Sequence, residues 1–152
     1  MVDNPEQIAA ALLSLITNAT NSFGWATPPS RAAKIWAATA PANQPCLYLI
    51  GMGGSVIRTA GYGVSKLIYR YVALVYMRAD ESAGSIPETQ LNGVWTAVVN
   101  ALLPSMPGKK QDLGIPNIVN DAWIEGDWLM DTGILDAQQE LTIPILVSTG
   151  AY

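Results

Sequence analysis

The chain has 152 residues, no histidine and a single cysteine. Without an imidazole there can be no Ser–His–Asp triad, no Cys–His dyad and no His-ligated metal. The lone Cys46 cannot form an internal disulfide, and in its apolar run a thiol reads as packing rather than as a nucleophile. Charge is scarce too, at 13% of residues against about 25% in an ordinary soluble domain. The net charge is −4 and the longest basic run is the pair Lys109-Lys110. Sequence-independent binding to nucleic acid needs a stripe of cations to displace counterions from phosphates, and none is present. No apolar run approaches the ~18 residues of a membrane helix. The first residues, Met1 to Glu6, lack the positive n-region of a secretory signal, so an intracellular origin is expected.

What remains is half apolar. That is enough to bury a core without staples, and the length fits one domain, expected over 1–152. The first element reads as a helix: Asn4 is a candidate cap, Pro5 suits the first turn, and Ile8, Leu12, Leu15 and Ile16 recur at helical spacing. A proline-rich irregular stretch follows from Asn21 to Pro45, in which 31–36 has at most one helical turn. Residues 46–50 read as a buried strand. Glycines 51, 53, 54, 61 and 63 then predict a flexible loop or hairpin tip. From Lys66 to Arg78 the residues alternate, with Leu67, Tyr69, Tyr71, Ala73, Val75 and Met77 on one face. Both faces are apolar, which predicts a helix on one side and a partner or loop on the other. A second helix is signalled by Ser85-x-x-Glu88 and Pro87, by the stripe Leu91, Val94, Trp95, Val98, Val99, Leu102 and Leu103, and by Pro104 as its stop. Residues 119–131 and 140–148 read as two further strands. The expected class is α+β, in the order α-β-β-α-β-β: a mixed or antiparallel sheet of about four main strands carrying two helices.

Candidate chemistry is thin. Gly51-Met52-Gly53-Gly54 follows a strand, but Val56 breaks the dinucleotide spacing, no helix opens behind it and no Walker lysine is present. Asp121, Glu125, Asp127 and Asp131 alternate along one predicted strand face. Paired carboxylates can serve as acid and base or hold a hard cation; a solvated face needs no chemistry at all. Trp123 and Trp128 leave open a small ligand- or sugar-binding domain, whereas Trp95 falls on the apolar helix stripe. No catalytic residue, metal or cofactor is expected, and a structural role is.

Several segments, in order, resemble the tail terminator-like minor tail proteins of long-tailed bacteriophages. Arg31 to Trp36 is followed by Gln44-Pro45-Cys46-Leu47-Tyr48-Leu49, similar to that family's "W…QPALFL" segment. Tyr69 to Arg78 resembles its long aromatic strand, Leu91 to Leu103 its helix ending in "ALxP", and Ala122 to Asp127 with Ile143 to Val147 its closing "W-I-E-G…IPI-x-V" hairpin. The resemblance spans about residues 31–147. It implies a structural virion protein with no catalytic residues. Six copies would form a homohexameric ring on the last ring of tail tube protein, end tube growth, and offer a surface to the head-tail connector or stopper protein. Its place would be the head-proximal end of the tail, after assembly in the host bacterial cytoplasm and without a membrane. Within such a ring, Tyr69, Tyr71, Val75 and Met77 are the expected intersubunit contacts, interface cores being poor in charge and rich in aromatic residues and Met. Asp121, Glu125, Asp127 and Asp131 are the expected lining of a lumen through which DNA slides without specific binding, like charge opposing adhesion. A head-tail connector, neck adaptor or tail completion protein of similar build remains open beside this, as do the ligand-binding domain and an enzyme working through carboxylates.

Overall fold

The computed structural model describes residues 4–35, 39, 43–58, 64–78, 87–131 and 138–149. Among them the elements are α1 (Asn4–Ala19), a 3-10 turn (Asn21–Phe23), β1 (Cys46–Arg58), β2 (Val64–Arg78), α2 (Pro87–Leu102), β3 (Val119–Ile124), β4 (Leu129–Asp131) and β5 (Gln138–Thr149). The strands form one five-stranded sheet in the order β1-β2-β5-β3, and β4 pairs with β5. Every pairing is antiparallel. The α+β class therefore holds, with one strand more than the sequence pattern suggested.

Both helices lie on one face of the sheet because their stripes match it. Ile8, Leu12 and Ile16 of α1 and Leu91, Val94, Val98 and Leu102 of α2 are buried in one cluster with Leu47, Leu49, Ala73, Val75, Ile143 and Ile145. Each fully buried aliphatic side chain contributes about 1.5–3 kcal/mol, so this layer holds the domain together. Gly93 fits the ring of Phe23: a Cβ there would lie 3.0 Å from Phe23 Cε1. Asn4 lies inside α1 rather than ahead of it, and Ser85 of the expected capping box is outside the described residues. Past the end of α2, Gln111 Nε2 donates to Ala101 O at 3.0 Å and Leu103 O at 3.2 Å. This satisfies carbonyls that a helix end otherwise leaves open.

The glycine-rich run is not a loop throughout. β1 continues through Gly51–Gly54 to Arg58, paired with β2 as far as Val64. A register shift between Gly51 and Gly54 takes up one extra residue as a bulge. Gly53 has φ +79°, and a Cβ on Gly54 would sit 2.0 Å from Ile68 O. Glycine here lets two strands approach; composition alone cannot distinguish that from mobility.

The stretch after α2 also departs from expectation. Residues 119–131 are not one strand but β3 and β4, lying end to end along β5 and separated by 125–128. Gly126 turns the chain there with φ +104°. Another bulge falls between Val119 and Asp121.

Residues 26–30 run as a strap along the outside of β1. Ala26 N–H donates to Pro45 O at 3.0 Å, Ser30 N–H to Leu47 O at 3.1 Å, and Leu49 N–H to Ser30 O at 2.9 Å. Beyond Ser30 this strap reaches the sheet face opposite the helices, where the Tyr76 hydroxyl donates to Lys34 O at 3.0 Å. Cys46, Tyr48 and Tyr76 form a small second core on that face, with Ile50 and Leu74 packed on it. Burial pushes the Cys46 thiol up and the Tyr76 phenol up to about 12, Glu140 adding to the latter. A thiol so placed is packing.

Candidate functional site

Tyr71, Val75 and Met77, expected to meet a neighbouring subunit, instead face the chain's own helices. Their exposures are 7%, 0% and 2%, and Tyr69 packs against the same core. The alternation was read correctly, but the inward face was assigned outward. On the opposite face of β2, Arg70 is exposed and Ile68, Val72 and Leu74 are half-buried.

The four carboxylates are not a row on one strand. Asp121 is half-buried, and its Oδ1 accepts from Gln111 N–H and Ala122 N–H, both at 3.0 Å, so it fastens the loop after α2 to β3. Glu125 and Asp127 are exposed in the turn between β3 and β4, where Glu125 accepts a hydrogen bond from Trp123 Nε1. Asp131 lies across from Glu140 in the β4–β5 pairing. Burial first, then the charge of Asp131, raises the Glu140 carboxyl above its ordinary value. Among the described residues no group of three or more His, Cys, Asp or Glu is placed to hold a metal, and no helix is long and apolar enough to cross a membrane.

Two accessible features stand out. The first is the outer half of β1. Met52, Val56 and Ile57 of this edge strand are 59%, 66% and 44% exposed, Val56 and Ile57 on its opposite faces. The strap that hydrogen-bonds to Leu47 and Leu49 makes no such bond to residues 51–58 among the described residues. An uncovered apolar edge of this kind is a template for pairing, which proteins ordinarily blunt.

The second is a groove of about 400 Å³ between α2 and β3 at the other end of the sheet. Trp95, Val99, Leu103 and Trp123 form its apolar walls, and Asp121 and Lys109 also line it. Trp95, expected in the core from the helix stripe, is half-buried at its margin, packed against the core on one side and stacked on Trp128 with ring centroids 4.5 Å apart. Leu103, on the same predicted stripe, is 56% exposed. Trp36 falls outside the described residues.

These two ends differ in charge. Residues 46–78, which make β1 and β2, carry Arg58, Lys66, Arg70 and Arg78 and no carboxylate. Among the described residues of 119–149, which make β3, β4 and β5, stand Asp121, Glu125, Asp127, Asp131 and Glu140 and no cation, although Lys109 of the preceding loop lines the groove. The strand order places the two sets on opposite halves of the sheet. Counting charges segment by segment along the sequence exposes this polarity; a net charge conceals it.

Compared by sequence, the chain matches no family model and no curated protein. Compared by fold, it is similar to a chain of a solved structure, the virion of a native gene transfer agent (GTA) particle. The TM-score is 0.50 at 12% identity, and the match covers 95% of this chain and 98% of that one. At that identity the likeness is one of fold.

Proposed function

We propose that this chain is a non-enzymatic structural protein of a virion, and within that class a tail terminator. In this reading its copies form a ring on the head-proximal end of a tail tube, stop tube growth and present a surface to the head-tail connector. The observation that carries the virion assignment is the fold likeness to a virion chain over nearly the whole of both molecules. The finer assignment rests on the ordered segments from Arg31 to Val147 that resemble tail terminator-like proteins. An exposed apolar edge and a charge-poor composition suit a subunit that completes its surface against neighbours. A chain of net charge −4 also suits a channel that duplex DNA crosses without sticking.

The test is capture by purified tail tube protein and, separately, by connector proteins, followed by tube assembly with the chain added. Binding to tube ends with shortened or arrested tubes supports the terminator role. Binding to connector proteins alone, with tube growth unaffected, moves the chain to the neck adaptor side of the joint. Binding to neither overturns both.

A further inference from the structure

We propose that the groove between α2 and β3 is a binding site for a neutral sugar, one pyranose unit of an uncharged glycan. This goes beyond the terminator reading and does not depend on it. At about 400 Å³ the groove has the size of a small-ligand site, and such sites are mostly apolar with a few polar groups set among the walls. Trp95, Val99, Leu103 and Trp123 are the apolar walls here. Trp128, stacked on Trp95 and 41% exposed, extends the aromatic surface outward. The Trp123 indole N–H donates to Glu125, which holds that ring in place before any ligand arrives. The polar groups in the groove are Lys109 and Asp121.

Neither polar group is used up within the fold. Lys109 makes no ion pair among the described residues, with Asp121 or with any other carboxylate. Asp121 Oδ1 accepts from Gln111 N–H and Ala122 N–H, and Oδ2 accepts from no described residue. The groove thus offers a cationic donor and an anionic acceptor on apolar walls, and that pairing decides the class of ligand. A hydrocarbon would cover both charged groups and return no hydrogen bond, which is unfavourable. A phosphate or an acidic sugar could pair with Lys109 but would meet Asp121, with the exposed Glu125 and Asp127 in the adjoining turn. An organic cation could rest on an indole but would meet Lys109. A hydroxyl suits both groups, since it accepts from an ammonium and donates to a carboxylate. A pyranose carries hydroxyls at its rim and C–H groups on its face, and the C–H face lies well against the negative face of an indole.

The test is titration of the full chain with three neutral oligosaccharides, maltohexaose, cellohexaose and chitohexaose, read by intrinsic tryptophan fluorescence. At least one should give a saturable change with a Kd below about 1 mM. Hexagalacturonate, which carries a carboxylate on every ring, should bind at least about tenfold more weakly. Lys109→Met removes the donor and should weaken sugar binding at least about threefold. Trp123→Ala removes a wall and should weaken it at least about tenfold. Lys109 is exposed, so its replacement leaves the fold intact. Circular dichroism checks Trp123→Ala, and Trp123→Leu takes its place should that variant not fold. No saturable change with any of the three sugars overturns the proposal. So does a change that neither substitution weakens, or one that hexagalacturonate matches. Loss of capture by tube or connector protein in Lys109→Met, with no sugar bound by the wild type, would make the groove a protein contact and equally overturn the site. Sugar binding by a chain that neither tube nor connector protein captures would leave the site standing and defeat the terminator role.

Discussion

The two halves of β1 share one backbone and one partner strand but are finished differently. In the first half, Cys46, Leu47, Tyr48 and Leu49 are all buried, between the helices on one face and the strap on the other. Ser30 of the strap also takes up edge hydrogen bonds there. In the second half, Gly51, Met52, Gly53, Gly54, Val56 and Ile57 are exposed, and no described segment runs along the edge. Tethered chain therefore satisfies one half of the strand. The other half keeps β-branched and sulfur side chains in water, at a cost that a second molecule can remove. In the proposed reading, this apolar edge is where a neighbouring molecule meets the chain.

That contrast can be broken from its buried side first. Leu49→Ala should cost about 2–5 kcal/mol in chemical denaturation, because the helices cannot collapse fully into the space. Val56→Ala, at 66% exposure, should stay within about 0.5 kcal/mol of the wild type while weakening self-association. Equal losses at the two positions would mean that the halves are not different in kind. Gly54→Ala comes next, at about 1–3 kcal/mol, because its Cβ meets the backbone carbonyl of Ile68, which cannot swing aside as a side chain would. Tyr76→Phe removes the bond to Lys34 O and should cost about 1 kcal/mol, loosening the strap over the first half only. Faster amide exchange around Ser30 and Lys34, with no change at 51–58, is the expected signature.

The smallest effect is electrostatic. The Glu140 carboxyl is raised in the folded state, by burial and then by Asp131. Folding therefore binds its proton more tightly, and the stabilisation this gives is present below the ordinary carboxylate range and lost as pH rises through the raised value. Glu140→Gln should raise the melting temperature near neutral pH by no more than about 2 °C, the gap closing in acid. Glu6, lowered by its hydrogen bond and then its charge interaction with Arg31, has the opposite sign. Its contribution is present above the ordinary range and lost as pH falls through the lowered value. A melting curve for Glu140→Gln that diverged from the wild type only in acid would contradict this assignment.

The helices were legible because Ile8, Leu12 and Ile16, and Leu91, Val94 and Val98, repeat at the helical period whatever they pack against. The alternation of β2 was legible for the same reason. Its polarity was not, since Tyr71, Val75 and Met77 differ little in hydropathy from Val72, Leu74 and Tyr76, and only the third dimension says which set meets α1 and α2. The continuation of β1 through Gly51–Gly54 was hidden because the glycines serve a close approach to Ile68 that exists only once β2 is paired. The break at Gly126 was visible as a residue, but alternation on either side of it disguised a turn as a strand. Asp121 was found and its role missed: its carboxylate partners are backbone N–H groups, one of them ten residues away at Gln111. Of the candidate site, the segregation of charge was within reach of the sequence, whereas the Trp95–Trp128 stack was not, since it joins α2 to the β3–β4 turn only once both pack on the sheet.

The central claim is that this chain completes itself against copies of itself, and native mass across a wide concentration range tests it most directly. The account expects a discrete species at a multiple of 16.2 kDa, formed by the chain alone or on addition of tail tube protein, and weakened by Val56→Asp. A monomer at every concentration, unchanged by tube protein and indifferent to that substitution, would contradict it.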